Sequence, residues 1–193
     1  MNFNHKEWFT IPNILSCARI ILIPIFISSY IHAMKSGDYY IPGMIIILSG
    51  LTDLLDGLIA RKFNQITELG KVLDPIADKL TQGAIVFTLM FRYRKMWILV
   101  ALFMIKELSM AINSFILFRR GKKLDGSLWF GKLSTTVFYA TMTVLIIFPR
   151  ISLATTHLLM GITGIFLLLS FVMYTKVFLN MHHSDTQGNK KLI

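Results

Sequence analysis

Six long apolar stretches are the feature that most constrains this chain of 193 residues. They cover residues 14–34, 41–60, 75–91, 97–118, 133–149 and 154–175. A bilayer crossing needs about 20 mostly apolar residues, and backbone groups in lipid must be paired within the segment, so each stretch is expected to be a helix. Only 16% of the residues are charged, which excludes an ordinary soluble protein and a nucleic-acid binder. The sequence predicts an all-α integral membrane bundle of six transmembrane helices, forming one domain over residues 1–193.

The basic residues, which give a formal net charge of +10, predict the topology. If the N-terminus is cytosolic, the inner segments carry twelve Lys and Arg residues and the outer loops carry five. The positive-inside rule therefore places both termini in the cytosol, although the basic run at 92–95 opposes it. Residues 1–9, with Trp8 and Phe9 beside charged residues, are compatible with either a short interfacial helix or a frayed terminus.

Five of the ten acidic residues, four aspartates and Glu68, fall within residues 53–78. Asp53 and Asp56 share one helix face at the end of the second apolar stretch, and Asp74 and Asp78 share a face at the start of the third. The connection between them is short. We therefore expect the two helices to be antiparallel neighbours whose carboxylates converge near the inner membrane surface.

The chemistry of this acidic cluster predicts a metal site. Four converging carboxylates cannot all stay ionised without counter-charge. Oxygen ligands with no Cys or His nearby favour Mg²⁺ or Mn²⁺, and two bridged ions would support phosphoryl chemistry. Gly57 and Ala60 leave the same helix face without bulk, so a phosphate could approach the backbone closely. Arg61, one turn beyond Gly57, is suited to hold phosphate oxygens.

Other interpretations use the same residues. Asp pairs within spans also form cation or proton pathways in transporters. Gly57 and Ala60 are equally suited to close helix packing, and Arg61 and Lys62 to anchoring at the cytosolic surface. A third possibility is a purely structural membrane protein. The acids cluster at one membrane face, however, whereas a transport path would place polar groups along the full depth, so an enzyme is favoured.

The acidic segment resembles the signature of the CDP-alcohol phosphotransferases. It reads D-x2-D-G-x2-A-R-x8-G-x3-D-x3-D from Asp53 to Asp78 and matches all eight fixed positions. The segment IPNILS-x2-R, from Ile11 to Arg19, is similar to the start of the first span in bacterial phosphatidylglycerophosphate synthases and related cardiolipin synthases. The segment GKLSTT at 131–136 resembles the start of their fifth span.

The resemblance implies an activity and roles for the residues. The family transfers a substituted phosphate from a CDP-linked donor, here CDP-diacylglycerol, to an alcohol and releases CMP. By resemblance, two divalent cations, Mg²⁺ or Mn²⁺, are bound by Asp53, Asp56, Asp74 and Asp78. Asp78 would also take the proton of the acceptor hydroxyl. The residues implied to hold the CDP moiety are Pro12, Asn13, Gly57, Ala60, Arg61, Thr67 and Gly70.

Resemblance to the phosphatidylglycerophosphate synthases implies that the acceptor is sn-glycerol 3-phosphate, bound by Lys106 and Lys132. Lys106 stands where those enzymes usually have Arg, and Ser114 stands where a second Arg would be expected. Because Lys is a weaker bidentate phosphate ligand than Arg, both differences count against glycerol 3-phosphate. The segment GLTDLLDG at 50–57 is also similar to cardiolipin synthases, which makes phosphatidylglycerol the alternative acceptor. The resemblance further implies a homodimer in the cell membrane, among membrane lipids, with its active site facing the cytosol.

Overall fold

Six helices make up the part of the chain that the computed structural model describes, residues 10–119 and 128–188. They are α1 (Ile11–Ser36), α2 (Tyr40–Lys62), α3 (Gly70–Met90), α4 (Met96–Arg119), α5 (Trp129–Ile147) and α6 (Leu153–Gly188). These residues contain no strand. Each predicted stretch overlaps one helix, which confirms the all-α prediction. The interfacial helix considered for residues 1–9 lies outside the described residues.

Five of these helices are long and apolar enough to cross a membrane. The exception is α3, which carries two of the motif aspartates and two lysines, Lys71 and Lys79. Large apolar side chains are widely exposed on the helices, among them Ile21 (63% exposed), Leu54 (64%) and Leu153 (72%). Such a surface is costly in water but suits contact with lipid acyl chains. The protein is therefore a multi-pass membrane protein.

The chain divides into two compact units. The first contains the residues up to Arg94 together with 142–151, and the second contains 95–141 and the residues from Ser152 onward. The first unit thus holds α1 to α3 and the end of α5, and the second holds α4, most of α5 and α6. Whether residues 1–193 act as one domain stays a prediction.

Helix α1 is central to the first unit because it packs against both α2 and α3. Pro12 lies in its first turn, where a missing N–H removes no helical hydrogen bond. The helix ends at Gly37, whose φ of 81° is a left-handed conformation that a residue with a Cβ rarely adopts. There the N–H of Gly37 donates to the Ala33 carbonyl at 2.8 Å. These two signals fix the length of α1.

Arg92 closes one end of the first unit. Its guanidinium lies 4.9 Å from the centre of the Tyr39 ring and donates to the Pro149 carbonyl at 2.8 Å. Next to it, burial raises the pKa of Tyr93, so the phenol stays protonated and donates to the Leu145 carbonyl at 3.1 Å. Arg92 thus has a packing role, which explains one of the basic residues that oppose the positive-inside count.

In the second unit, α4 packs against α6, and an aromatic cluster fixes the start of α5. The buried side chains of Leu117, Phe130, Tyr174 and Phe178 form this cluster. The hydroxyl of Tyr174 accepts a hydrogen bond from the Leu128 N–H at 3.3 Å. A Cβ at Gly131 would clash with the same hydroxyl. The absence of a side chain at Gly131 therefore lets α5 and α6 approach closely, one residue before Lys132.

Candidate active site

The four motif aspartates lie on the two helices that pack against α1. Asp53 and Asp56 are on α2, and Asp74 and Asp78 are on α3. Both helices pack on α1. Whether α2 and α3 are also direct neighbours stays a prediction. The Ser16 hydroxyl of α1 lies within hydrogen-bond distance of Asp56 on α2 and of Asp74 on α3, so carboxylates of both helices meet at α1.

Arg19 of α1 supplies the positive charge that the α2 carboxylates need. Its Nη1 lies 2.5 Å from Oδ1 of Asp53, and its Nη2 donates to Oδ2 of Asp56. The Arg19 side chain is fully buried, and its Nε has no hydrogen-bond partner in the structure. A buried guanidinium is stable only when it is paired. This pairing holds α1 against the acidic face of α2.

Ser16, one turn before Arg19, connects the two acidic helices. Its hydroxyl lies within hydrogen-bond distance of Oδ1 of Asp74, Oδ2 of Asp56 at 3.5 Å and the Pro12 carbonyl at 3.0 Å. A hydroxyl has one hydrogen, so it donates to one of these acceptors at a time. Ser16 and Arg19 therefore form one polar face of α1 that contacts three of the motif aspartates.

Asp78 has different partners. The Nε2 of Gln82, one turn further along α3, lies 2.9 Å from both carboxylate oxygens of Asp78. Lys79 Nζ lies 3.8 Å from the same carboxylate. The side chain of Asp78 is 19% exposed, whereas that of Asp56 is 5% exposed. Asp78 is thus oriented by a neighbour while part of its carboxylate stays accessible.

A second polar cluster connects the start of α1 with the start of α3. Nδ2 of the fully buried Asn13 lies 3.0 Å from Oγ1 of Thr67. The same oxygen accepts the Gly70 N–H at 2.9 Å. A Cβ on Gly70 would lie only 2.6 Å from Oδ1 of Asn13. The structure thus brings together three of the residues predicted to hold CDP, with Pro12 buried next to Asn13.

The structure says less about the binding roles of the other predicted residues. Gly57 and Ala60 are half-buried on α2, and the side chain of Arg61 lies outside the described residues. Lys106 is buried in the second unit, where its Nζ lies 3.1 Å from Oε1 of Glu107. Lys132 is exposed near the start of α5. The binding roles of all these residues stay predictions.

Four residues in contact with the aspartates were not among the predicted site residues: Ser16, Arg19, Lys79 and Gln82. Arg19 had a signal in the sequence, because an arginine inside a predicted span needs a partner and usually marks a functional site. Ser16 belongs to the segment at 11–19 that resembles the start of the first span in this family. Gln82 had no such signal, since neutral polar residues are common in membrane helices.

Whether the residues fit a divalent cation can be judged from the donor set. Among residues 10–119 and 128–188, no three Asp, Glu, His or Cys side chains lie close enough to hold one ion. The donors are all oxygens, however, which suits Mg²⁺ or Mn²⁺. The carboxylates of Asp53 and Asp56 already hold a cationic group, the guanidinium of Arg19. The chemistry of the cluster therefore fits a hard cation.

Comparison with known proteins identifies relatives of this chain. Proteins named CDP-diacylglycerol–glycerol-3-phosphate 3-phosphatidyltransferase match from Rickettsia felis (40% identity over 80 residues, 42% of this chain and 44% of that protein), Haemophilus influenzae (33% over 131 residues, 66% and 70%) and Escherichia coli (28% over 146 residues, 74% and 80%). The chain thus spans less than half the length of the Rickettsia relative that it matches.

A family model covers far more of the chain than any of these pairwise matches. The model described as CDP-alcohol phosphatidyltransferase matches residues 9–179. This range includes all six membrane stretches, the Asp53–Asp78 motif and the start of α1. It confirms the resemblance seen in the motif and supports the enzyme interpretation over the transporter and structural ones. The chain belongs to the CDP-alcohol phosphatidyltransferase family.

Proposed function

We propose that this protein transfers the phosphatidyl group of CDP-diacylglycerol to sn-glycerol 3-phosphate and releases CMP. The observation that carries the proposal is that Ser16 and Arg19 of α1 contact three of the four motif aspartates, beside the polar cluster of Asn13, Thr67 and Gly70. The names of the three relatives favour glycerol 3-phosphate over phosphatidylglycerol as the acceptor.

The family depends in general on divalent cations. We infer that two ions, Mg²⁺ or Mn²⁺, are held by Asp53, Asp56, Asp74 and Asp78. When bound, they supply positive charge to the diphosphate of the donor and to the leaving CMP. The oxygen-only donor set and the dense negative charge of the cluster support this assignment.

The CDP moiety is assigned to the side of the site formed by α1 and α3. Asn13 and Thr67 orient each other, and the missing side chain of Gly70 lets Asn13 lie against the start of α3, which holds this polar pair in place. The small residues on α2, Gly57 and Ala60, leave room for a phosphate to approach the backbone. Arg61 is assigned to the donor phosphates because a guanidinium binds phosphate in a bidentate way.

Asp78 is assigned as the base. The acceptor oxygen attacks the lipid-bearing phosphorus, the bond from that phosphorus to the CMP oxygen breaks, and the hydroxyl proton passes to Asp78. Partial exposure of the Asp78 side chain leaves its carboxylate within reach of an alcohol. The contact from Gln82 keeps that carboxylate in one orientation.

The acceptor phosphate is assigned to Lys106 and Lys132. Replacing Lys132 with Ala is expected to raise KM for glycerol 3-phosphate and leave KM for CDP-diacylglycerol unchanged. Lys35→Ala, at the last turn of α1, is the control. An unchanged KM for glycerol 3-phosphate in Lys132→Ala would exclude that lysine from acceptor binding.

We also propose that the protein is a homodimer in the cell membrane, with both termini and the active site facing the cytosol. Labelling of single cysteines in intact cells, with a membrane-impermeant reagent, tests the orientation. Cross-linking in native membranes tests the dimer. Labelling of a cysteine at position 188 from outside the cell would contradict the proposed topology.

An acceptor screen tests the reaction. Purified protein, CDP-diacylglycerol and Mn²⁺ are offered glycerol 3-phosphate, phosphatidylglycerol, inositol phosphate or serine, and the lipid product is identified by mass. We expect phosphatidylglycerophosphate from glycerol 3-phosphate. A cardiolipin product would identify phosphatidylglycerol as the acceptor, and no CMP release with any alcohol would contradict the enzyme proposal.

A paired substitution tests the role of Asp78. Asp78→Asn removes the base and is expected to abolish CMP release. Asp38→Asn makes the same change at an exposed turn residue. Oδ1 of Asp38 accepts the Tyr40 N–H at 3.0 Å, and an asparagine there can accept the same hydrogen bond. The control should keep wild-type activity. Robust CMP release by Asp78→Asn would remove Asp78 from the role of base.

A further inference from the structure

We propose that Arg19 is a positioning residue that fixes Asp53 and Asp56 for cation binding by holding one oxygen of each carboxylate. This inference rests on the proposed function, since it concerns the cations of the same site. It differs from a packing role for Arg19, because it makes the affinity for cations depend on the shape of the guanidinium. It also differs from competition, in which Arg19 and the cation would exclude each other.

The geometry of the contacts carries the proposal. Arg19 reaches Oδ1 of Asp53 with Nη1 and Oδ2 of Asp56 with Nη2. One planar group therefore spans two carboxylates that are almost one helical turn apart. The second oxygen of each carboxylate is not used by Arg19. When both carboxylates are held in this way, the second oxygen of Asp53 and the second oxygen of Asp56 stay at a fixed distance and orientation to each other, as an ion-binding site requires.

Burial makes the arrangement rigid. The Arg19 side chain is fully buried and that of Asp56 is 5% exposed, whereas that of Asp53 is 37% exposed. A buried guanidinium without its carboxylates would be strongly unfavourable, so Arg19 cannot swing into water without cost. The Ser16 hydroxyl, at 3.5 Å from the Oδ2 of Asp56 that Arg19 also holds, restrains the same oxygen. Solvent access at Asp53 leaves a direction from which an ion can enter.

Lysine cannot replace this function. An ammonium is a point charge, whereas a guanidinium presents several N–H groups in a fixed plane. Arg19→Lys therefore keeps the charge of the site and loses the simultaneous hold on Asp53 and Asp56. Arg19→Gln loses both the charge and the hold. The pair of variants separates positioning from simple charge balance.

The experiment measures Mn²⁺ binding to the purified full-length protein in detergent, without lipid substrate, by electron paramagnetic resonance. We expect both Arg19→Lys and Arg19→Gln to weaken Mn²⁺ binding by about 10- to 100-fold, the range seen when groups that orient metal ligands are removed. Arg92→Gln is the matched control, because Arg92 contacts Tyr39, which lies about 20 Å along α2 from Asp53. Its Mn²⁺ affinity should equal that of the wild type.

Several outcomes would overturn the proposal. Equal or tighter Mn²⁺ binding by Arg19→Gln would show competition in place of positioning. Wild-type affinity in Arg19→Lys would show that charge alone suffices, and this variant keeps the test valid if Arg19→Gln does not fold. Absence of saturable Mn²⁺ binding by the wild type would also refute the proposal. Wild-type protein that binds Mn²⁺ normally but releases no CMP would refute the proposed function alone.

Discussion

Replacing Gln82 with Met is expected to slow the reaction without weakening substrate binding. Nε2 of Gln82 lies 2.9 Å from both oxygens of Asp78, and the residue is only 3% exposed. Methionine has nearly the same length and shape as glutamine but donates no hydrogen bond. The substitution therefore removes the contact that orients the proposed base and leaves the packing of α3 almost unchanged.

The size of the effect follows from the type of contact. A hydrogen bond to a charged group contributes about 1.5–3 kcal/mol. If the orientation of Asp78 matters only when the acceptor proton is transferred, this free energy stabilises the transition state and not the bound substrate, so all of it is lost from the activation barrier. This corresponds to a fall in kcat of about 10- to 150-fold, with KM for CDP-diacylglycerol unchanged. Gln82→Glu should be slower still, because a second carboxylate would repel Asp78.

Initial rates of CMP release, measured over a range of CDP-diacylglycerol concentrations, separate kcat from KM. The control is Thr81→Val, one residue away on α3, where the lost hydroxyl donates to the Ala77 carbonyl at 2.8 Å. We expect this control to stay within about twofold of the wild type. A kcat for Gln82→Met that is also within twofold would refute the positioning role of Gln82. An equal loss in Thr81→Val would indicate a general disturbance of α3.

Three further predictions test the packing and the site. Gly131→Ala would place a methyl group against the hydroxyl of Tyr174 and should lower the free energy of unfolding by about 1–3 kcal/mol, seen as a lower Tm. Gly161→Ala should not lower it, because a Cβ there would meet no described atom outside its own stretch of helix within 4 Å; equal Tm values for the two variants would contradict this explanation. Gly70→Ala would bring a Cβ to 2.6 Å from Oδ1 of Asn13 and should raise KM for CDP-diacylglycerol several-fold, whereas a wild-type KM would argue against a nucleotide pocket there. Removal of divalent cations with a chelator should abolish CMP release, and Mn²⁺ should restore it; activity that persists in excess chelator would contradict the proposed cation requirement.

Much of the helical layout and of the acidic motif could be predicted from the sequence. The length of the apolar stretches determined where helices form, and the spacing of Asp53 and Asp56 determined that they share a face. The same spacing is enough to identify the family. These properties are local: each depends on residues within a few helical turns, so a one-dimensional pattern contains them.

The order in which the helices pack was not contained in that pattern. Both α2 and α3 pack on α1, which the short connection between them did not indicate. Lipid-facing and helix-facing surfaces are equally apolar in a membrane protein, so hydropathy does not reveal which helices touch. The pairing of Asn13 with Thr67, 54 residues away, depends on this order and could not be seen from the sequence.

Arg19 shows most clearly where the two kinds of information separate. By itself, the sequence determined that an arginine lies within the first apolar stretch and that four carboxylates lie in the next two. Only the tertiary structure decided that this guanidinium spans Asp53 and Asp56 while Ser16 and Gln82 orient the other two aspartates. The physical reason is that a buried charge must find a partner, but the choice of partner is made by the packing of helices far apart in the chain.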